Sequence, residues 1–155
     1  MTNPPNPAVH NDTSGGEQAR VLHASCVAYQ NRAVLMIGPS GAGKSSLALQ
    51  LMGLGATLVS DDKTCVRHSE AGLIATAPPS IKGLIEAHGV GILGAETCGS
   101  AYVRLVVDLA QKEEARLPPQ RHYNLLGQSL PLLHNVKAAH FAAAILQYLK
   151  GGRNA

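Results

Sequence analysis

The sequence predicts a sheet-rich α/β domain with few helices, one of them at its C-terminal end. Three observations carry this. Short apolar runs, each about 4–8 residues long, recur between turn-forming residues, as strands do. Helical spacing is confined to the segment after Lys44, a short piece at 81–86 and the last part of the chain. One strand-like run, Ala33-Val-Leu-Met-Ile37, leads directly through the glycine-rich Gly38-Pro-Ser-Gly-Ala-Gly-Lys-Ser45 into Ser46-Leu-Ala-Leu-Gln-Leu-Met52.

At 155 residues the chain is long enough for one buried core and too short for two. Residues 1–19 are rich in Pro, Asn, Ser and Gly and hold no apolar segment. That composition predicts a disordered tail and not a secretory leader, leaving 20–155 as the single domain. Arg20 to Tyr29 contains β-formers and ends at Gln30-Asn31-Arg32, so it pairs as a hairpin with Ala33 to Ile37. The helix from Lys44 ends near Gly53 or Gly55. Ala56 to Val59 is a short buried strand that runs into Ser60-Asp61-Asp62. Thr64 to His68 and Leu73 to Thr76 flank Ser69-Glu-Ala-Gly72 as a second hairpin. Pro78-Pro79 breaks the pattern, and Ser80 caps a short helix over Ile81 to Glu86. Gly89 to Leu93 follows as a glycine-flanked strand or turn. Tyr102 to Leu109 is the clearest later strand, and Leu117-Pro118-Pro119 closes the polar stretch after it. Tyr123 to Leu126 and Ser129 to Leu133 form a hairpin about Gly127-Gln128. Asn135 then caps a helix from Val136 to about Lys150, with Ala138, Phe141, Ile145 and Leu149 at helical spacing.

Composition removes several functions. No apolar run approaches the ~18 residues of a membrane span. Three widely spaced cysteines contain no C-x-x-C pair, so they read as reduced thiols of a cytoplasmic protein and not as a zinc site or disulfide framework. A net charge of +3 without a basic run, one Phe and no Trp supply neither a cationic stripe nor a stacking platform for nucleic acid.

The segment Gly38, Pro39, Ser40, Gly41, Ala42, Gly43, Lys44, Ser45 and Ser46 has the chemistry of a nucleotide phosphate cradle. Its glycines let backbone N–H groups converge on phosphate oxygens at a helix N-terminus. Lys44 reaches the β- and γ-phosphates, and the Ser45 hydroxyl takes one position on Mg²⁺. Asp61 and Asp62 stand at the carboxyl end of a strand, where ligands of open α/β sheets bind. One can serve Mg²⁺ while the other takes a proton. Taken alone, His23 reads as a hydrogen-bonded strand residue and Glu86 as an exposed helix-surface residue.

Together these residues resemble the HPr kinase/phosphorylase family, in the short, catalytic-domain-only form of some proteobacteria. The resemblance runs from Leu22-His23-Ala24 through the loop and Leu58-Val-Ser-Asp-Asp62. It continues to Ala77-Pro78-Pro79 and Ile85-Glu86-Ala-His88-Gly89-Val-Gly-Ile92, covering about residues 21–93. It implies a P-loop kinase domain of the HPr kinase type, acting with ATP and Mg²⁺ on a serine of an HPr-like phosphocarrier protein. Implied with it are phosphotransferase-system regulation in the cytoplasm and a homo-hexamer. By the same resemblance His23 lies at the reaction centre and Lys44 contacts the transferring phosphoryl group. The Asp61-Asp62 pair, Asp62 foremost, accepts the serine proton, and Ser45 and Glu86 bind Mg²⁺. The chain departs from the long family members at Pro39, Ser46 and His88, where they carry Asp, Glu and Arg. It also lacks an R-P-G-R-N segment, which favours the kinase direction over the phosphorylase direction. A small-molecule P-loop kinase remains an alternative, since the loop also resembles that of guanylate kinase. A non-catalytic nucleotide-binding regulator is the other.

Overall fold

The computed structural model describes residues 18–155. The expected tail therefore lies outside the described residues up to residue 17, while Ala19 already belongs to the first strand. Strands β1 (Ala19–Leu22), β2 (Ala24–Tyr29) and β3 (Arg32–Ile37) precede helix α1 (Lys44–Gly53). Then come β4 (Thr57–Ser60), β5 (Thr64–Ser69), β6 (Gly72–Thr76), a 3₁₀ turn at Pro79–Ile81, β7 (Leu84–Ala87) and β8 (Gly91–Gly94). The long β9 (Ser100–Lys112), the hairpin of β10 (Arg121–Leu125) and β11 (Gln128–Asn135), and α2 (Phe141–Gly151) complete the chain. Among the described residues no helix is long and apolar enough to cross a membrane.

One sheet of nine strands has the order β1-β5-β6-β9-β3-β2-β4, with β11 on β9 and β10 on β11. β9 is its spine. Its first residues pair antiparallel with β6, its middle runs parallel to β3, and its later part runs parallel to β11. The pairing with β3 slips after Ala33–Val103, so that Val34 meets Leu105 and Arg104 is the extra residue. That bulge turns the following side chains over. Val103 therefore joins the core on one face of the sheet, and Leu105 and Val107 join the core on the other.

Alternation in β3 divides the two cores in the same way. Val34 and Met36 pack with α1 and α2 through Leu47, Leu51, Ile145 and Leu149, while Ala33 and Leu35 pack with Val66, Leu73 and Leu125. In α1, Lys44, Leu47, Ala48 and Leu51 recur at helical spacing and form the buried face. Arg32 fastens the last turn of α2 to the sheet. Its Nη1 donates to the carbonyl oxygens of Leu149 at 2.9 Å and Lys150 at 3.1 Å, which have no partner within the helix.

Four expectations change. The run Arg20–Tyr29 breaks at His23 into two strands with different partners, β1 on β5 and β2 on β3 and β4. The segment expected as a helix over Ile81–Glu86 holds one 3₁₀ turn and then β7, which pairs with β8 in a separate two-stranded sheet. Gly83, at φ +77, ends the turn before a second helical turn can form. Asn135 is the last residue of β11 and caps nothing, because its parallel pairing with Lys112 continues the strand. The connector 136–140 then turns through hydrogen bonds from Ala138 N to Val136 O and from Phe141 N to Ala138 O, so α2 starts at Phe141. The last hairpin turns at Leu126-Gly127, one residue earlier than expected, with both residues at positive φ. Burial of Leu126 in the core offsets its unfavourable left-handed backbone.

Candidate active site

The phosphate loop is shaped by contacts a side chain on Gly38 would destroy. Gly38 has φ +145, and a Cβ there would lie 3.2 Å from Ala42 Cβ and 3.5 Å from Leu109 Cβ. The loop can thus fold back on itself against the end of β9, closed by Ala42 N donating to Pro39 O at 3.1 Å. Gly43 takes φ +103 and starts α1, whose first turn carries no side-chain cap. The open N–H groups of that turn are what an anion at a helix N-terminus uses. Lys44 is buried, and its Nζ donates to the carbonyl oxygens of Gly38 at 2.8 Å and Pro39 at 3.1 Å.

β4 delivers the two aspartates to the same place. Asp61 is buried and accepts three hydrogen bonds: Ser45 Oγ at 2.6 Å and Ser25 Oγ at 2.8 Å on Oδ1, and the Glu86 backbone N–H at 3.0 Å on Oδ2. Asp62 has φ +68, a left-handed backbone that turns it away from its neighbour. Its own N–H donates to Ser25 Oγ at 3.2 Å. Its carboxylate meets His23 Nε2 at 2.8 Å, with the two side chains 61% and 48% exposed. A pair so exposed contributes at most about 1 kcal/mol to stability, so its effect is on orientation.

Eight of the expected residues share one cleft of about 420 Å³: Ser40, Gly41, Gly43, Lys44, Ser45, Ser46, Asp62 and Glu86. The hairpin β7–β8 brings in Glu86, and His88 after it joins them there. Glu86 reaches the site from a strand, with its backbone N–H held by Asp61. His23 sits at the break between β1 and β2 and not inside a strand; that break frees its ring to meet Asp62. Gly38, Pro39 and Ala42 shape the loop from behind, and Asp61 acts from beneath through Ser45. Ser25 is the residue that sequence reasoning missed. Its signal is slight: one fully buried hydroxyl in an otherwise apolar strand.

The oxygen donors of Ser45 and Glu86 fit a hard divalent cation. Mg²⁺ keeps several waters and takes only one or two protein ligands beside substrate phosphates. A hydroxyl and a carboxylate bordering the same cleft, the one bonded to Asp61 and the other on a residue whose backbone N–H Asp61 holds, meet that requirement.

Comparison with known proteins shows the family and the fold. The family model described as the HPr serine kinase C-terminal domain matches residues 17–131. The chain belongs to this family. Among curated relatives, HPr kinase/phosphorylase 1 of Oceanobacillus iheyensis is 34% identical over 141 residues, covering 86% of this chain and 43% of the relative. The HPr kinase/phosphorylase of Caldicellulosiruptor bescii is 37% identical over 124 residues, covering 72% and 40%. The chain thus spans about two-fifths of the length of these family members. The solved structure of the Hpr(Ser) kinase/phosphatase from Coxiella burnetii superposes with a TM-score of 0.71 at 21% identity, covering 84% of this chain and 88% of the other. The sheet-rich P-loop fold expected from the sequence is therefore the family's fold.

Proposed function

We propose that the chain transfers a phosphoryl group from ATP to a serine of an HPr-like phosphocarrier protein, as part of phosphotransferase-system regulation. One observation carries the reading. A hydrogen-bonded run from Ser45 through Asp61, Ser25 and Asp62 to His23 joins the phosphate loop to an exposed carboxylate. The names of the relatives support the same activity.

The roles divide by burial. Lys44, held at the loop by two carbonyl oxygens, places a positive charge where solvent does not weaken it, and turns it to the phosphoryl oxygens when ATP enters. Ser45 and Glu86 would hold Mg²⁺, which would supply charge neutralisation to the phosphates. Asp61 commits both oxygens to three donors and so fixes Ser45 and the backbone of Glu86 in place. Asp62 engages His23 through one oxygen and stands in the open cleft, free to take the proton of the incoming serine hydroxyl. As the serine oxygen bonds to the γ-phosphorus, the bond from that phosphorus to the β,γ-bridging oxygen breaks. His23 keeps the Asp62 carboxylate oriented through this step. In the opposite direction inorganic phosphate attacks the phosphoserine phosphorus, the bond from that phosphorus to the serine oxygen breaks, pyrophosphate leaves, and the protonated carboxylate returns its proton to the serine oxygen. The acting form is a homo-hexamer, which sedimentation of the purified protein checks.

The test is transfer itself. With Mg²⁺, γ-labelled ATP and an HPr-like protein, one serine of that protein becomes labelled. Asp62→Asn lowers the rate by about 100-fold or more, the usual reach of a general base, and leaves nucleotide affinity unchanged. Labelling that persists in this variant removes Asp62 from its role. Labelling of a small metabolite in place of the protein overturns the protein-kinase reading.

A further inference from the structure

One face of α2 borders a cavity of about 240 Å³ that shares no residue with the catalytic cleft. His140, Ala144 and Tyr148 follow one another at four-residue intervals, so they line this space along about 12 Å of helix. The other walls come from Leu133 and His134 of β11 and from Glu113 and Pro118 of the connector between β9 and β10. Arg153, just after the helix, closes one end. Its Nε donates to Ala155 O at 2.9 Å and its Nη2 to Pro118 O, which ties the last residues to that connector.

We infer that this cavity is a binding site for a small carboxylate with an apolar body. Its floor argues for the body. Leu133, Val136 and Tyr148 pack against the core yet stay half-exposed, so a ligand laid over them removes apolar surface that the fold leaves in water. Its polar groups argue for the head. Arg153 commits two of its five N–H groups to backbone carbonyls and has three left. Neither His134 nor His140 bonds through its ring to another described residue, and each imidazole carries at least one N–H. Glu113 is the one acidic side chain on the wall, and Arg121 already bonds both of its oxygens at 3.1 Å. Donors thus face the space while the carboxylate beside them is paired, which is the complement of an anion that only accepts. Size narrows the class further. The volume falls below the ~300–1,000 Å³ of a drug-sized pocket, so it suits one ring on a short chain and not a nucleotide or a peptide.

The experiment titrates hydrocinnamate, and the alcohol and amine with the same ring and chain, into the isotope-labelled whole chain and follows amide NMR shifts. Hydrocinnamate is expected to move the amides of His134, Ala144 and Tyr148 saturably, and to bind at least about tenfold tighter than the amine. Ala144 is exposed, so Ala144→Trp fills the space without entering the core and abolishes saturation. Arg153→Gln weakens hydrocinnamate by about tenfold, the order of one charge-assisted hydrogen bond, and leaves the alcohol within about twofold. Shifts confined to the phosphate loop, or hydrocinnamate binding unchanged in Ala144→Trp, overturn the site. An amine that binds as tightly as the acid, or equal loss of acid and alcohol in Arg153→Gln, overturns the carboxylate class.

Discussion

Ser25 shows how much one hydroxyl can organise. It donates to Asp61 and accepts from the backbone of Asp62, so it fixes the buried carboxylate and the left-handed turn that exposes the other. Ser25→Ala leaves that N–H without its acceptor and Asp61 one donor short. The expected destabilisation is about 1–3 kcal/mol, read by denaturant unfolding, together with a fall in phosphoryl transfer. Ser25→Thr keeps the hydroxyl and restores transfer; if it does not, the serine matters only for packing. The aspartates were legible because their spacing from Lys44 is a pattern. Ser25 was not, because its role depends on β2 pairing antiparallel with β4 through Cys26 and Ser60, which sets Ser25, just before Cys26, beside Asp61, just after Ser60. Burial, aided by nearby Cys98, pushes the Cys26 thiol well above the ordinary range. Thiol-alkylating reagents are therefore expected to modify exposed Cys98 in the native protein and to reach Cys26 only after unfolding, which peptide mass mapping checks.

At the scale of elements, glycine at the head of the loop decides whether the cradle exists. Gly38→Ala forces a side chain into a left-handed position already closed by Ala42 and Leu109. Such strain costs about 1–3 kcal/mol, and at roughly 2–4 °C per kcal/mol for a chain of this size melting curves resolve it. The strand–loop–helix unit was readable because strand, glycine-rich turn and helix follow one another in sequence. The hairpin β7–β8 was not. Its strands are short, and an isolated tetrad such as Leu84-Ile-Glu-Ala87 fits either period. Only its pairing with β8, from Leu84 with Gly94 to Ala87 with Gly91, decides in favour of a strand. The start of α2 was misplaced for a related reason: Asn135 is a good cap by composition, but a strand partner claims it first.

At the scale of the molecule, β9 and the hairpin after it are held together partly by charge. Arg121 Nε and Nη2 both bond the Glu113 carboxylate at 3.1 Å. This guanidinium, the largest influence, holds the Glu113 carboxyl below its usual range, opposed by desolvation and aided by the backbone N–H groups of Ala115 and Glu114. Because the folded value is depressed, the stabilisation is complete above the unfolded carboxylate pKa. It is lost as pH falls toward the folded one. Arg121→Gln should therefore lower stability near neutrality and flatten its acid dependence, which denaturant midpoints measured from pH 7 down to about 3 will show. An unchanged acid limb would place the pH sensitivity elsewhere.

The parallel pairing of β3 with β9 has a consequence in time. The strand that feeds the phosphate loop is made early and pairs with β2 at Ala24, yet on its other edge Ile37 finds its partner only at Asp108. Contacts so distant along the chain close slowly. A nascent polypeptide that ends before Ser100 therefore carries the whole glycine-rich motif without a β9 to brace it. The motif becomes a site only late in folding, when the second half of the molecule arrives to hold it in shape.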